Sequence, residues 1–580
     1  MKKICFSLVR FSLVGALLSG GLALAAAKRS LAGSMPFGAL AYIEAEGLGA
    51  KVRQLQKSEF YADILKSPQY KEFESTGDYT KMWAGRTMVE TLIGMDLWTA
   101  AEKLLGGQLA LGFYPKKGQV EPETLILLRV GDIKALKKIH GRLKPFIWLS
   151  DEIERSELPG GVELFKLENN FFVATKDAWI VGSEDRSLLL KSVKMLGGQA
   201  SKSIAQDDSY KKFLQKMGDK HLGKVFVNIP AYAKQYNQPI EVPGKLDNGG
   251  VSFLFHGIME LFAGSPYLGV TVDSGEKGFS GVSAIEGNME AARKKYGWFF
   301  SEPGTPGTRD IPQVAGLMGG FTFHRNIGSW YRNREKLLEE RLMAGFDEFE
   351  SGLGNVFPGQ DVGEDIMPAL GSTTTFLAAK QTFEHFEGEP GVKLPGFALI
   401  FDLDKPENGA LFQLLFQTIV TITNITSAEQ GLNREPSVMT AVVHKGVPIN
   451  TIQYLRPPKG KRLNISYNFM PCAATVNGRF VFCTSLQLCR ALVEEMSKPQ
   501  DKTRVNRNLN FELYPGALAG LAKTNRNTLV AQSIQTGKTA KQANWEFDTL
   551  LRLVESIDVA RFSTSVLRDG FQIKFEGKWK

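Results

Sequence analysis

Cysteine is scarce in this sequence, since only four of its 580 residues are cysteine. Cys5 lies near the N-terminus, whereas Cys472, Cys483 and Cys489 lie close together in the last fifth of the chain. So few cysteines exclude a fold that is held together by a disulfide framework. At most one disulfide can form among Cys472, Cys483 and Cys489.

Histidine and the common catalytic signatures are equally sparse. The six histidines never occur at the His-x-His or His-x-x-x-His spacing that places two imidazoles on one metal ion. Gly537-Lys538-Thr539 resembles the end of a phosphate-binding loop, but Gln532 stands where that loop requires glycine. No Gly-x-Ser-x-Gly elbow is placed to expose a nucleophile. We therefore predict no catalytic residue, no metal site and no cofactor; an enzyme would need a site built from dispersed residues.

Long apolar runs are absent except at the N-terminus. Lys2, Lys3 and Arg10 precede an uncharged stretch from Phe11 to Ala27 that ends in small residues. A basic head, an apolar run and a small-x-small ending are typical of a cleaved signal peptide. We predict a signal peptide over residues 1–27 and a periplasmic or secreted mature chain; an uncleaved N-terminal membrane anchor is the alternative.

Neither sign of charge dominates the chain. Its formal net charge is +9, and removal of the three basic residues within 1–27 lowers this value to +6. No Lys/Arg block resembles a nucleic-acid-binding arm, so we predict no nucleic-acid partner. Peripheral association with a membrane surface is compatible with the mild basic excess.

One turn predicts where two of the cysteines meet. Asn477-Gly478 is a strong signal for a two-residue hairpin turn. Counting outward from this turn places Cys472 directly opposite Cys483 at a hydrogen-bonded pair, where the backbones are about 5.5 Å apart. This distance is within disulfide range. The two residues form either a disulfide or a pair of buried free thiols.

The sequence contains an internal repeat. Five landmarks recur in the same order, each with the same succession of strand, turn and helix signals. They pair Asp96–Gly112 with Asp361–Leu377, the strand ending at Asp132 with the strand ending at Asp404, Ala174–Val193 with Ala474–Val493, the strand before Pro230 with the strand before Pro515, and Gly275–Gly287 with Leu567–Gly577.

A Pro/Gly-rich linker at residues 301–310 separates the two copies. We predict repeat domain 1 over residues 36–300 and repeat domain 2 over residues 311–580. Strands outnumber helices and short turns join most neighbours, which predicts an α+β fold in which each domain is a mainly antiparallel sheet packed with amphipathic helices. In domain 2, we expect one helix to pack an apolar stripe on the sheet. That stripe comprises Leu411, Leu414, Leu415, Ile419 and Ile422.

Several of these features resemble a bacterial family of exported proteins that is catalogued only as a domain of unknown function. The resemblance rests on PFGALAYIE at Pro36–Glu44, on the Leu-Gly steps at residues 105–106 and 370–371, and on the hairpin WIVGSEDRSLLLKSV. It implies a tandem α+β repeat protein of the cell envelope, and it implies no activity and no site residues.

These observations favour an exported, non-enzymatic envelope protein that binds an apolar or extended ligand, or a protein partner, through two duplicated domains. A structural or inhibitory component that acts by protein contact alone is a second hypothesis. A hydrolase with dispersed site residues is a third.

Overall fold

The computed structural model describes residues 30–116, 118–150, 153–167, 170–237, 240–275, 277–301, 307–357, 359–429, 436–456, 459–499 and 507–580. The predicted signal peptide (1–27) lies outside these residues, as does half of the predicted linker (302–306). The fold class is α+β with mainly antiparallel strand pairing, as the sequence predicts.

The chain forms two compact units. Unit 1 comprises the residues up to Ile240 together with Phe262–Gly287 and Glu576–Lys578, and unit 2 comprises Glu241–Leu261, Asn288–Phe575 and the last two residues. Residues 241–261 and 288–300 therefore belong to unit 2, although the linker signal placed them in domain 1. Aromatic packing explains this difference, because Phe253 stacks on Trp298 and meets Trp330 edge to face.

Ten strands form the sheet of unit 1. They are β1 (Ala41–Glu46), β2 (Gln108–Tyr114), β3 (Glu123–Arg129), β4 (Glu154–Leu158), β5 (Val162–Lys166), β6 (Phe172–Lys176), β7 (Trp179–Ser183), β8 (Gly223–Asn228), β9 (Tyr267–Gly275) and β10 (Gly278–Glu286).

All neighbours in this sheet are antiparallel, and their order is β10, β9, β8, β1, β2, β3, β7, β6, β5, β4. Burial alternates along β2 with the period of two that a sheet with one covered face requires. The covered face packs on two helices through Leu188, Leu189, Tyr210 and Phe213.

Twelve further strands follow. They are β11 (Leu317–His324), β12 (Leu370–Ala379), β13 (Glu389–Pro390), β14 (Gly396–Leu403), β15 (Ser437–His444), β16 (Val447–Tyr454), β17 (Arg462–Leu463), β18 (Cys472–Val476), β19 (Arg479–Cys483), β20 (Arg507–Leu513), β21 (Ile557–Leu567) and β22 (Gly570–Trp579).

Nine of these strands form an antiparallel sheet within unit 2, in the order β21, β20, β11, β12, β14, β19, β18, β16, β15. The two-residue strands β13 and β17 pair with each other in parallel. Side chains pack on both faces of this sheet: Val481 and Ala474 belong to one apolar cluster, and Phe480 and Ala473 belong to another.

Helices and single helical turns connect the strands. In unit 1 they are Leu31–Ser34, Leu48–Lys57, Glu59–Lys66, Pro68–Glu74, Gly77–Ile93, Leu97–Leu104, Ile133–Leu149, Arg186–Leu196, Ile204–Gln206, Asp208–Met217 and Ile229–Tyr236. In unit 2 they are Gly249–Ala263, Met289–Tyr296, Ile327–Arg332, Arg334–Leu337, Glu340–Leu342, Met343–Val356, Val362–Ile366, Met367–Ala369, Pro406–Asn408, Gly409–Glu429, Ile465–Asn468, Leu486–Ser497, Pro515–Thr524, Arg526–Gln535 and Ala540–Ser556. The helix Gly249–Ala263 includes the first two residues of the following unit 1 segment.

Short carboxylates begin several of these helices. The side chains of Asp96, Asp132 and Asp361 each accept hydrogen bonds from backbone N–H groups in the first turn. These bonds satisfy donors that have no partner within the helix. Asp96, Asp132 and Asp361 therefore have a capping role in the fold.

A buried cation holds part of unit 2 together. Arg325 is 1% exposed, and its guanidinium donates to the carbonyl oxygens of Phe253 and Leu254, both at 2.9 Å, and of Phe299 at 3.3 Å. Its Cζ atom lies 3.5 Å from the centroid of the Phe299 ring. Burial lowers the pKa of Arg325 to about 9. Several charge-assisted hydrogen bonds and a cation–π contact thus offset the cost of burying this charge.

Replacement of this cation should destabilise the chain. We expect Arg325→Met to lower the free energy of unfolding by about 2 to 4 kcal/mol, because it removes these hydrogen bonds and the ring contact. Arg332→Met is the matched control, since Arg332 is exposed and pairs with Glu364 at 3.5 Å. It should change the free energy by less than about 1 kcal/mol in urea unfolding. Equal effects of both variants would contradict this role of Arg325.

Candidate functional site

The helix Ile133–Leu149, called the lysine-rich helix below, concentrates positive charge on the surface of unit 1. It contains no acidic residue, and the carboxylate of Asp132 caps its first turn by accepting the N–H of Ala135 at 3.0 Å. Five exposed cationic side chains project from it. They are Lys134, Lys137, Lys138, Arg142 and Lys144.

A narrow apolar stripe attaches this helix to its neighbours. Ile139 packs with the buried side chains of Ile93 and Ala100, and Leu143 packs against the same cluster. The spacing of four residues between Ile139 and Leu143 keeps both on one face of the helix. Because this stripe is narrow, most of the circumference of the lysine-rich helix faces solvent.

The last turn of the lysine-rich helix exposes large apolar side chains. Phe146, Trp148 and Leu149 are 56%, 64% and 83% exposed. The guanidinium of Arg155 lies 4.9 Å from the Trp148 ring centroid, and the ammonium group of Lys144 lies 5.6 Å from it. Aromatic rings beside cations form an amphipathic surface with both apolar area and positive charge.

The helix Gly409–Glu429, called the apolar helix below, is the longest helix among the described residues. Phe412, Phe416 and Val420 are buried in the cluster that contains Phe480. The stretch Pro406–Thr426 is long and apolar enough to cross a membrane by length and composition, and only 22% of its most apolar window is buried.

The predicted core stripe of this helix is wrong in part. Leu411 and Leu415 pack against the core as expected. Leu414, Ile419 and Ile422 are exposed instead. The large rings of Phe412 and Phe416 face Phe480 and Phe482 and turn the aliphatic side chains outward. The exposed face continues to Ile425.

The three cysteines of unit 2 form a second candidate site, called the three-thiol cluster below. Cys472 on β18 pairs with Cys483 on β19 in the predicted register, around the turn at Asn477-Gly478. Both turn residues have positive φ, at 48° and 71°, as a type I′ turn requires. Cys489 lies on the helix Leu486–Ser497, which packs on the face of the sheet that carries both thiols.

The sulfur atoms of this cluster lie within 4.8 Å of one another, and all three residues are buried free cysteines. Burial raises the pKa of the Cys472 and Cys483 thiols well above the usual value. Hydrogen bonds from these two thiols hold the pKa of Cys489 below its usual range. Among the described residues, this is the one group of three or more cysteine, histidine or carboxylate side chains whose ligand atoms lie close enough to hold one metal ion.

Sequence reasoning placed Cys472 opposite Cys483 but missed Cys489. The structure confirms the register of the hairpin, and the disulfide between its two cysteines stays a prediction. The signal that could have found Cys489 is the helix start after β19: Ser485 is the N-cap residue of that helix, and Cys489 follows about one turn later. One helical turn directs that side chain back to the strands.

Two hollows of the described surface have mainly polar linings. One is lined by charged side chains that include Glu154, Arg155, Lys166 and Arg186. Another is lined by side chains that include Glu364, Asp365 and Asp404. Such linings do not suit an apolar ligand, which favours the exposed helix faces as the apolar contact surface.

No protein-family model matches this chain, and no curated protein matches it. Among solved structures, crystal form III of TP0453 has a TM-score of 0.24 at 10% identity and covers 48% of this chain and 90% of that chain. Crystal form IV of TP0453 has a TM-score of 0.24 at 11% identity and covers 45% of this chain and 81% of that chain. A TM-score of this size does not establish a shared fold.

The burial of the three-thiol cluster predicts how its cysteines react. In the full chain carrying Cys5→Ser, a water-soluble disulfide reagent should modify no thiol rapidly in the native state, because side-chain packing shields all three sulfur atoms. Unfolding in guanidinium should then expose three reactive thiols. A count of one after unfolding would show a disulfide within the cluster, and rapid reaction in the native state would contradict the described burial.

Proposed function

We propose that this chain is an exported, non-enzymatic envelope protein that binds the anionic surface of a lipid bilayer through the lysine-rich helix. The observation that carries this proposal is the combination of five exposed cations with an exposed Phe146, Trp148 and Leu149 on one helix. Basic amphipathic helices with exposed aromatic residues lie in membrane interfaces. Export is an inference from the N-terminal sequence.

The positive charge of the lysine-rich helix favours an anionic lipid surface as its binding partner. The helix has no acidic residue to offset its cations. Each lysine or arginine close to an anionic bilayer contributes about 1 kcal/mol to binding. Three such side chains therefore account for about 3 kcal/mol.

The apolar last turn supplies a second, independent contribution. Burial of one large apolar side chain stabilises the bound state by about 1.5 to 3 kcal/mol. Phe146, Trp148 and Leu149 lie within the last four residues of the helix and expose most of their side-chain area. An interfacial position places these side chains among the acyl chains and leaves the lysine ammonium groups at the level of the headgroups.

The two units are, in this proposal, copies of one ancestral unit. Nine strands follow the same order in each sheet: β1 to β9 of unit 1 correspond to β11, β12, β14, β15, β16, β18, β19, β20 and β21 of unit 2. The sequence landmarks that lie on these strands pair in the same way. Together, the strand order and the landmarks support duplication.

This correspondence relates the two exposed helices to each other. The lysine-rich helix follows β3, and the apolar helix follows the corresponding strand β14. Both helices present apolar side chains to solvent, although only the first is strongly basic. The exposed large apolar side chains of this apolar helix in unit 2 are Leu414, Ile419, Ile422 and Ile425.

Vesicle binding tests this proposal. The full mature chain should float with vesicles that contain phosphatidylglycerol and bind much more weakly to vesicles of phosphatidylcholine alone. Replacing Lys134, Lys137 and Lys144 by glutamine should lower the partition coefficient about a hundredfold, because about 3 kcal/mol of attraction is lost. Added salt should weaken the binding of the parent chain in the same direction.

Matched control variants show whether vesicle binding depends on the lysine-rich helix itself or only on the total charge and exposed apolar area of the chain. Glutamine at the exposed Lys191, Lys220 and Lys541 removes the same charge elsewhere on the surface and should weaken binding far less. Phe146→Ser with Trp148→Ser should also weaken binding, whereas Leu455→Ser with Leu550→Ser removes similarly exposed apolar side chains as a control. Equal losses in the test and control variants, or flotation independent of phosphatidylglycerol, would contradict the proposal.

A further inference from the structure

We propose that the three-thiol cluster is a binding site for a single copper(I) ion, with Cys472, Cys483 and Cys489 as its ligands. The assignment is independent of the lipid surface proposed above. It rests on the arrangement of three sulfur atoms that meet from two strands and one helix.

The distances suit a three-coordinate ion. A metal ion roughly 2.3 Å from each of three sulfur atoms in one plane holds those atoms roughly 4.0 Å apart. The sulfur atoms of the cluster already lie within 4.8 Å of one another. A small inward rotation of the side chains therefore closes the site, with no change in the register of β18 and β19.

The ligand set favours copper(I) over zinc. Thiolates select soft ions, of which copper(I) and zinc are the common examples. Structural zinc sites are almost always four-coordinate, whereas among the described residues only three side chains of the cysteine, histidine and carboxylate types meet here. The neighbouring side chains of Leu488, Leu492 and Val493 carry no ligand atom.

A cation near the cluster offsets part of the charge that the occupied site would carry. Each thiol that binds the ion releases its proton to solvent, because the thiolate is the ligand. A copper(I) ion with three thiolates carries two negative charges. The guanidinium of Arg490 interacts electrostatically with Cys472 and Cys489 and offsets part of this charge.

Copper binding can be measured on the full chain carrying Cys5→Ser, so that no other thiol is present. The reduced, anaerobic protein should withhold one equivalent of copper(I) from a chromophoric copper(I) chelator. X-ray absorption at the copper edge should show three sulfur neighbours at roughly 2.3 Å. Excess zinc should not displace the ion.

Two variants test the ligands against the packing. Cys489→Ala should lower copper(I) affinity at least about a hundredfold, since loss of even an outer-shell partner costs about 10- to 100-fold. Met496→Leu is the control, because Met496 is a buried sulfur-containing residue of the same apolar cluster, and it should leave affinity unchanged. Circular dichroism checks that both variants fold. If Cys489→Ala does not fold, the number of sulfur neighbours of copper in the X-ray absorption spectrum of the parent chain decides whether all three cysteines are ligands.

Three outcomes would overturn the assignment. The first is a reduced parent chain that yields all its copper to the chelator. The second is a bound ion with only two sulfur neighbours and an affinity that Cys489→Ala does not alter. The third is a chain that is isolated with Cys472 and Cys483 already joined as a disulfide, which would make the cluster a structural crosslink.

Discussion

Antiparallel register decides which side chains meet in this protein. In unit 2, the turn at Asn477-Gly478 fixes the pairing of β18 with β19 and places Cys472 opposite Cys483. A slip of one residue would turn both thiols to the other face of the sheet, toward the apolar helix and away from Cys489. The three-thiol cluster therefore depends on one two-residue turn, and the helix that follows β19 completes it.

The same strand order supports two different helices. In each unit a helix follows the third of the nine corresponding strands along the chain, which is β3 in unit 1 and β14 in unit 2. Only part of the surface of each helix is buried. In the lysine-rich helix, the cations and the last turn remain at the surface because a narrow stripe suffices for attachment. In the apolar helix, aromatic side chains occupy the sheet side and leave isoleucines exposed. Exposed apolar area on such helices is unusual for a surface that meets only water.

Local sequence signals predicted the features that depend on neighbouring residues. The α+β class and the cysteine hairpin both follow from turn signals over a few positions. Features that depend on tertiary competition were missed. The buried face of the apolar helix was decided by the rings of Phe412 and Phe416, and residues 241–261 pack with unit 2 because Phe253 finds aromatic partners there. The third thiol joins the pair because the helix after β19 packs on the face of the sheet that carries both thiols; the start of that helix is a local signal, but its packing is a tertiary contact.

Hydrogen exchange read by mass spectrometry tests most directly whether the lysine-rich helix lies on an anionic bilayer. With phosphatidylglycerol vesicles, backbone amides in the last two turns of this helix, residues 143–149, should exchange more slowly than in the free protein. Amides of the helix Leu486–Ser497, whose packing side is already buried, should not change. Unchanged exchange in residues 143–149 on vesicles that bind the protein would contradict the account.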